Sequence, residues 1–371
     1  HLKKMNSMPF QRQFPFIPKK NGLYIVRGPR QIGKSSWLKK VLSHYSSREK
    51  CFYLSCENII DHKELAEILK SVRDRKIVLL DEISFVKDWD RAIKHEVDSG
   101  FSNILMITGS HSYDLKLGAD RMPGRYDHGG EFSLLPMLFD EFCQARRLAG
   151  WASSDRGREL ELYFKIGGFP IAVAEAGKDG RRPSQAMKTY WKWLCGDVVK
   201  LGKQEHFLRE IMIQLLLCTQ NPISFQTLAK KTSISSHNTA QEYISILESC
   251  FSVKLLYAID LNNNSYRFKK DKKIYFTDPL LFWIALDLSG MKICDNSSEK
   301  IAEMVAHEFL SRKHERFGYF NNKNGEIDFI MPEQWAREVK WSEDAQNLSR
   351  AYLNLNLLDK KVWLKNNFLQ E

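Results

Sequence analysis

The sequence lacks the cysteine spacings that build zinc sites and disulfide frameworks. Its seven cysteines, Cys51, Cys56, Cys143, Cys195, Cys218, Cys250 and Cys294, are odd in number and scattered, and no two stand at CxxC spacing. Both kinds of site need tighter clusters, so the expectation is reduced thiols in a cytoplasmic protein without structural zinc. The ten histidines form no HxxxH or CxxH pair either. Long apolar runs are also missing. Stretches such as IALDL (284–288) and IMIQLLLC (211–218) fall far short of a bilayer span. No charged–apolar–small signal pattern opens the chain, and no basic amphipathic helix with aromatic anchors stands out, which argues against a membrane partner. There is no low-complexity linker and no fixed-period repeat.

What is present is the composition of a globular protein, with 43% hydrophobic and 27% charged residues. A length of 371 residues suits two or three domains. Lys and Arg number 56 against 45 Asp and Glu, a formal net charge of +11. That excess favours a polyanionic partner, nucleic acid or an anionic membrane; the nucleic acid expected from the segments below is DNA, with RNA as the alternative.

Residues 22 to about 135 alternate short apolar runs with helical stretches. LYIVRG (23–28), CFYLSC (51–56), KIVLLD (76–81) and NILMITG (103–109) are apolar on both faces, with FSLLP (132–136) as a candidate fifth strand. A parallel sheet covered by helices wants that composition. Between the first strand and a helix stands GPRQIGKSS. Gly28, Gly33, Lys34 and Ser35 fit G-x-x-x-x-G-K-[ST]. Glycine is needed where backbone N–H groups wrap a phosphate, Lys34 neutralises β and γ oxygens, and the Ser35 hydroxyl is a Mg²⁺ ligand. The whole loop, Gly28, Pro29, Arg30, Gln31, Ile32, Gly33, Lys34, Ser35 and Ser36, is the candidate ATP site. KIVLLDEIS ends its strand on Asp81 and Glu82. Asp81 is expected to hold Mg²⁺ through water, and Glu82 to polarise the attacking water. One full strand, CFYLSC, lies between the loop and this acid pair, and that order, with a glutamate beside the aspartate, resembles the ATPase branch that includes AAA and RecA proteins. At the next strand tip, Thr108 or Ser110 is the candidate γ-phosphate contact, with a turn role as the alternative. Arg121 and Arg125 are candidates for a charge-stabilising arginine acting on a neighbour's nucleotide, which would require a homo-oligomer.

GPRQIGKS, LLDEISFVKDW, ITGSHSYDL, GR, LLPMLFDEF, GGFP and KIYFTDPLL occur in that order. The ordered set resembles the prokaryotic AAA-type P-loop ATPases with a C-terminal domain of unknown function, over residues from about 20 to 345. The resemblance implies an N-terminal AAA-like ATPase, a winged-helix segment and a nuclease-like tail. The tip GSHS departs from the family's more usual serine run, which leaves the Ser110 assignment open.

In the middle, ISFQTLAKKT (223–232) and SISSHNTAQEYISILESC (233–250) read as two helices joined by a polar turn, a helix-turn-helix pattern. Ser236, His237, Asn238 and Thr239 would open the second helix. FSVKLLYAID and YRFKKDKKIYF would form a β-wing bearing Arg267, Lys269, Lys270, Lys272 and Lys273. The functional reading is duplex DNA on these residues. The alternative is a helical packing domain with a solvated basic turn.

The tail reads as a helix, a hairpin, then a helix and a strand. Asp328 precedes Glu338-Val339-Lys340 by nine intervening residues, room for two half-strands and a turn. A restriction-nuclease core needs those types: Asp and Glu hold Mg²⁺, and Lys stabilises the hydroxide or the charge on phosphate. Glu303 on the preceding helix fits the additional acid. Asp328, Glu338 and Glu303 are therefore the candidate metal ligands, and Lys340 the candidate catalytic lysine.

The expected architecture is α/β: an AAA/RecA-like parallel-sheet domain (1–150), a helical lid with winged helix (151–290) and a PD-(D/E)xK-like α/β domain (291–371). The expected function is ATP hydrolysis, with ATP and Mg²⁺, that controls a DNA-directed and Mg²⁺-dependent nuclease tail. The alternative is a nucleotide switch whose winged helix and tail are non-catalytic interaction modules.

Overall fold

In the computed structural model, residues 10, 12–46, 49–109, 112–292, 296–344, 348–357 and 359–370 are described. The chain divides into two compact units, residues 1–136 with 249–251, and residues 137–248 with 252–371.

The first unit alternates strand and helix: β1 Gly22–Arg27, α1 Lys34–Tyr45, β2 Cys51–Ser55, α2 His62–Ser71, β3 Ile77–Asp81, α3 Trp89–Asp98, β4 Ile104–Thr108, α4 Ser112–Asp120 and β5 Gly130–Ser133. The five strands form one sheet in the order β2-β3-β4-β1-β5, every neighbouring pair parallel. Each side of the sheet has its own use, because successive side chains point to opposite faces. Leu23 and Ile25, Val78 and Leu80, and Leu105 and Ile107 share a buried cluster with Leu65 and Leu69 of α2 and Ala92 and Ile93 of α3. Their strand neighbours Tyr24, Val26, Leu79 and Met106 are equally buried, and α1 packs against β2, β3 and β4. Burial on both faces is the reason these strands read as unbroken apolar runs. The fifth strand lies two residues earlier than FSLLP suggests. Leu134 still donates to the Arg27 carbonyl at 2.8 Å, but the run then reaches Pro136, which has no N–H for a ladder.

The second unit begins with α5 Phe139–Leu148, α6 Arg156–Ile166, α7 Pro170–Ala176, α8 Ser184–Lys200 and α9 Glu205–Cys218. Two further helices follow, α10 Phe225–Lys230 and α11 His237–Ser249. Each is capped by a serine: Ser224 Oγ accepts from Thr227 N at 3.0 Å, and Ser236 Oγ from Thr239 N at 3.1 Å. Then come β6 Val253–Leu256, β7 Ile259–Asp260, β8 Ser265–Tyr266 and β9 Lys273–Phe276. β6 pairs antiparallel with β9 and β7 with β8. The segment expected to form a wing thus holds two separate short pairings, and residues 267–272 between β8 and β9 are tied back at their ends by Arg267 N–H to the Ala258 carbonyl and by Lys272 to Ile223.

The unit closes with α12 Pro279–Ser289, α13 Ser297–Lys313, β10 Gly318–Asn322, β11 Gly325–Met331, β12 Trp335–Val339, α14 Arg350–Leu353 and β13 Asp359–Trp363. The last four strands form a sheet in the order β10-β11-β12-β13, antiparallel except for the parallel β12/β13 pair. Helix α13 is buried almost all round. Ile301, Met304, Val305 and Phe309 lie inside as their spacing predicts, but so do Glu303, His307 and Glu308. Buried polar side chains need partners, and those of Glu303 define the second site below.

Candidate functional site

The loop after β1 is shaped by two glycines. Gly28 sits at φ +149, and a Cβ there would stand 2.1 Å from the Leu134 carbonyl oxygen. Gly33 precedes α1 at φ +106, a conformation that any side chain would strain. Gln31 lies between them, exposed and at φ 53. Ile32 is fully buried, and its carbonyl accepts from Arg12 at 3.3 Å. Arg30 and Ser36 are half-buried. This tight turn delivers the chain into the N-terminus of α1, where the helix dipole favours an anion. The buried Lys34 ammonium is held over the loop, donating to the carbonyls of Gly28 and Pro29 at 2.8 Å each.

The tips of β2, β3 and β4 complete the site. Asp81 is buried and accepts three hydroxyl hydrogen bonds: Ser35 Oγ at 3.1 Å, Tyr53 Oη at 2.8 Å and Thr108 Oγ1 at 2.5 Å. Burial, followed by the Asp81 charge, raises the Tyr53 hydroxyl's pKa, so it stays a donor. Cys56 nearby is pushed up to about 12 by burial and by Asp81 and Glu82, which leaves it an inert thiol. Glu82 is half-buried and adopts a left-handed φ of 56 as the chain leaves β3. Such a backbone in a non-glycine residue costs on the order of 1 kcal/mol and clusters at functional sites. Ser35 and Asp81 offer hard oxygen donors 3.1 Å apart, the kind of ligand Mg²⁺ takes.

Ser110, expected at this site, is outside the described residues. The other residues expected here have the following partners. Thr108 is committed to Asp81, so its hydroxyl positions the aspartate. Arg125 grips Asp98 with two hydrogen bonds of 2.7 and 3.2 Å, and Arg121 pairs with Asp90 at 3.3 Å.

Residues 20–143 match the family model of an AAA domain, and residues 157–292 that of a domain of unknown function, DUF8612. Residues 20–143 form an AAA-type P-loop domain. The uncharacterized protein MJ1544 of Methanocaldococcus jannaschii is 27% identical over 337 residues, covering 84% of this chain and 72% of its own. An uncharacterized protein of Haemophilus influenzae is 24% identical over 367 residues, covering 93% and 86%. Among solved structures, a Walker-type ATPase of Pyrococcus abyssi aligns at 14% identity over 71% of this chain and 90% of its own, with a TM-score of 0.48. Among the described residues, no helix is long and apolar enough to cross a membrane.

Beyond the AAA domain, the structure brings Glu303, Asp328 and Glu338 into one buried cluster, with a fourth member that sequence reasoning placed in solvent. Lys273 is 1% exposed. Its ammonium lies 2.8 Å from Glu303 Oε1, 2.5 Å from Glu326 Oε1 and 3.6 Å from Asp328 Oδ1. Tyr275 donates to Glu303 Oε1 at 2.5 Å, and the Val339 N–H to Asp328 Oδ2 at 2.9 Å. Lys340 Nζ stands 3.5 Å from Glu338 Oε2. Glu338 Oε1 is buried, and the Glu338 carboxyl is hydrogen-bonded to Asp328.

The electrostatics follow from burial and crowding. Burial pulls the Lys273 ammonium down, but Glu303, Tyr275, Asp328 and Glu326 together hold it well above its usual range, so it is charged. Burial pushes Glu303 up to about 7 against the pull of Lys273. Burial and the adjacent Asp328 push Glu338 up to about 9, so it is protonated at neutral pH. His307 stacks on Tyr275 with centroids 4.7 Å apart, and burial keeps it neutral.

One expectation changes here. Lys273 is not a solvent-facing phosphate contact. Among the three acids expected to hold Mg²⁺, the structure places the Lys273 ammonium beside Glu303 and Asp328. Among the described residues, no group of three or more His, Cys, Asp or Glu is arranged to hold a metal ion. Glu308, on another side of α13, pairs with Lys254 and Arg312 at 2.8 Å each.

The remaining candidates lie on the surface. His237 and Asn238 are exposed at the start of α11, and Lys269 and Lys270 are exposed in the 267–272 loop. Lys272 is half-buried, and its ammonium donates to the carbonyls of Phe268 at 2.9 Å and Lys270 at 3.2 Å. Lys270 itself donates to the Asn321 carbonyl at 3.0 Å. Sequence reasoning missed Tyr53, Tyr275 and Glu326. For Tyr275 a signal existed: Lys273 and Tyr275 are two apart on a strand, so they share a face.

Proposed function

We propose that the protein is an ATP-driven switch: the AAA domain binds and hydrolyses ATP, and its nucleotide state controls a DNA-directed C-terminal part that binds without cutting. The observation that carries the first half is the convergence of Ser35 on Asp81, beside a buried Lys34, at the ends of parallel strands. In this reading Lys34 neutralises the β and γ oxygens. Ser35 would hold Mg²⁺ directly and Asp81 through water, and the ion would supply charge neutralisation on the phosphates. Glu82, next to Asp81, would orient and deprotonate the attacking water.

The second half treats residues 151–290 as a lid with a winged helix and 291–371 as a restriction-nuclease-like fold, after an AAA region of 1–150. α10 and α11 would be the helix-turn-helix, with His237 and Asn238 at the reading end. Lys269, Lys270 and Lys272 would meet phosphates around Phe268, which is 63% exposed. The buried Lys273 favours binding over cleavage in the tail, because it occupies the charge position that nuclease chemistry gives to a metal.

Two measurements test this. Lys34→Ala is expected to lower ATP hydrolysis by about 10²-fold or more, as loss of a charge-stabilising group does; hydrolysis at the wild-type rate would refute the ATPase half. With Mg²⁺, wild type and Lys340→Ala should be equally inert toward supercoiled, linear and single-stranded DNA. Nicking by wild type that disappears in Lys340→Ala would refute the non-cleaving half.

A further inference from the structure

The buried cluster of the tail is built around the dimensions of an ammonium. Charge-assisted N–H···O bonds run at about 2.7–2.9 Å, whereas Mg²⁺ draws its oxygen ligands to about 2.0–2.1 Å in an octahedron. Lys273 Nζ has oxygens of Glu303, Glu326 and Asp328 at 2.8, 2.5 and 3.6 Å. The lysine is fixed on β9 with 1% exposure, and the ring of Tyr319 lies 5.7 Å from its ammonium. Swinging it out would break contacts to two elements, α13 and β11. Glu338, itself 2% exposed, lies in the same cluster, where as a protonated carboxyl it is hydrogen-bonded to Asp328.

We propose that Lys273 is the resident cation of this cluster, standing in place of a divalent metal ion, and that removing its charge turns the cluster into a divalent-cation site. The native tail then takes no Mg²⁺. The ligands a metal would gain are the carboxylates that now surround the ammonium, Glu303, Glu326 and Asp328. This deepens the non-cleaving reading of the tail, but it rests on the packing of Lys273 and is tested without nucleotide or nucleic acid, so the two fail separately.

The experiment counts Mn²⁺ ions bound per full-length chain by electron paramagnetic resonance. It uses nucleotide-free protein on an Asp81→Asn background, which removes the expected metal ligand of the AAA domain. With Lys273 intact, no Mn²⁺ should bind at millimolar concentration. Lys273→Met should bind one ion per chain, and adding Asp328→Asn should abolish it. Lys273→Arg keeps the charge and should bind none. An ion bound with Lys273 intact and lost on Asp328→Asn would overturn the proposal, as would a folded Lys273→Met chain that binds nothing. If Lys273→Met is unfolded in chelator, recovery of its folded circular dichroism on adding Mn²⁺ supports the proposal, and failure to recover counts against it.

Discussion

Three hydroxyl groups, those of Ser35, Tyr53 and Thr108, converge on Asp81. Each donor comes from a different element, so the carboxylate is fixed against rotation before any ligand arrives. Tyr53→Phe removes one of these bonds and nothing else of the ring. A hydrogen bond to a charged group contributes about 1.5–3 kcal/mol, so a loss near the lower figure is expected at this half-buried site. The shift in urea midpoint measures it, and ATP hydrolysis should fall as Asp81 loosens. An unchanged midpoint and rate would mean that Ser35 and Thr108 suffice. The contrast with the loop is instructive. Gly28 to Ser35 is legible because its chemistry is contiguous. Tyr53 is not, since only sheet order brings it to Asp81, 28 residues away. Lys273 is misleading for another reason: it ends a run of surface lysines, and charge runs usually mark solvent. The alternation of β9 was the stronger signal, because it places Lys273 with Tyr275 on an inward face.

At the scale of elements, the strings GGFP and FTDPLL are visible in the sequence but carry no evident chemistry there. The structure joins them. Asp278 caps α12 through the Leu280 N–H at 2.8 Å and accepts from the Gly168 N–H at 2.7 Å. A Cβ on Gly167 would stand 2.1 Å from Asp278 Oδ1, so the glycine admits the carboxylate. Burial raises this carboxyl from 3.8 to about 7, against the two backbone N–H groups that favour its charge. The folded chain therefore binds the proton more tightly than the unfolded one. Stability from this group is complete below the unfolded value and is lost as pH rises through the folded value, between about 4 and 7. The slope approaches at most about 1.4 kcal/mol per pH unit. Glu303 and Glu338 contribute in the same direction, so the comparison with Asp278→Asn isolates the term. Chemical denaturation at several pH values should give a shallower decline for the variant across this window. Parallel profiles would mean that Asp278 is ionised in the folded state.

At the scale of the whole molecule, a net charge of +11 makes any nucleic-acid affinity salt-dependent. If the 267–272 loop meets phosphates, Lys269→Ala with Lys270→Ala should reduce the slope of log affinity against log salt by about 2. If Phe268 stacks on a base, Phe268→Ala should weaken single-stranded DNA by about 1–3 kcal/mol with the slope unchanged. Fluorescence anisotropy across a salt series reads both, and unaltered binding in both variants would move the interface away from this loop. The division of labour along the chain was partly legible, because a parallel sheet buried on both faces announces itself in unbroken apolar runs. The tail was harder, since its deciding residue lies 55 positions before Asp328 in a different sheet.

The phosphate-loop glycine Gly28 lies directly against Leu134, just beyond the last strand of the sheet. The Leu134 carbonyl lies so close to Gly28 that even a methyl group would collide with it, and the Leu134 N–H is bonded to Arg27. Two residues later the chain passes into the second unit, whose residues begin at 137. The loop that would feel a phosphate and the segment by which the chain leaves the sheet are thus bound side by side.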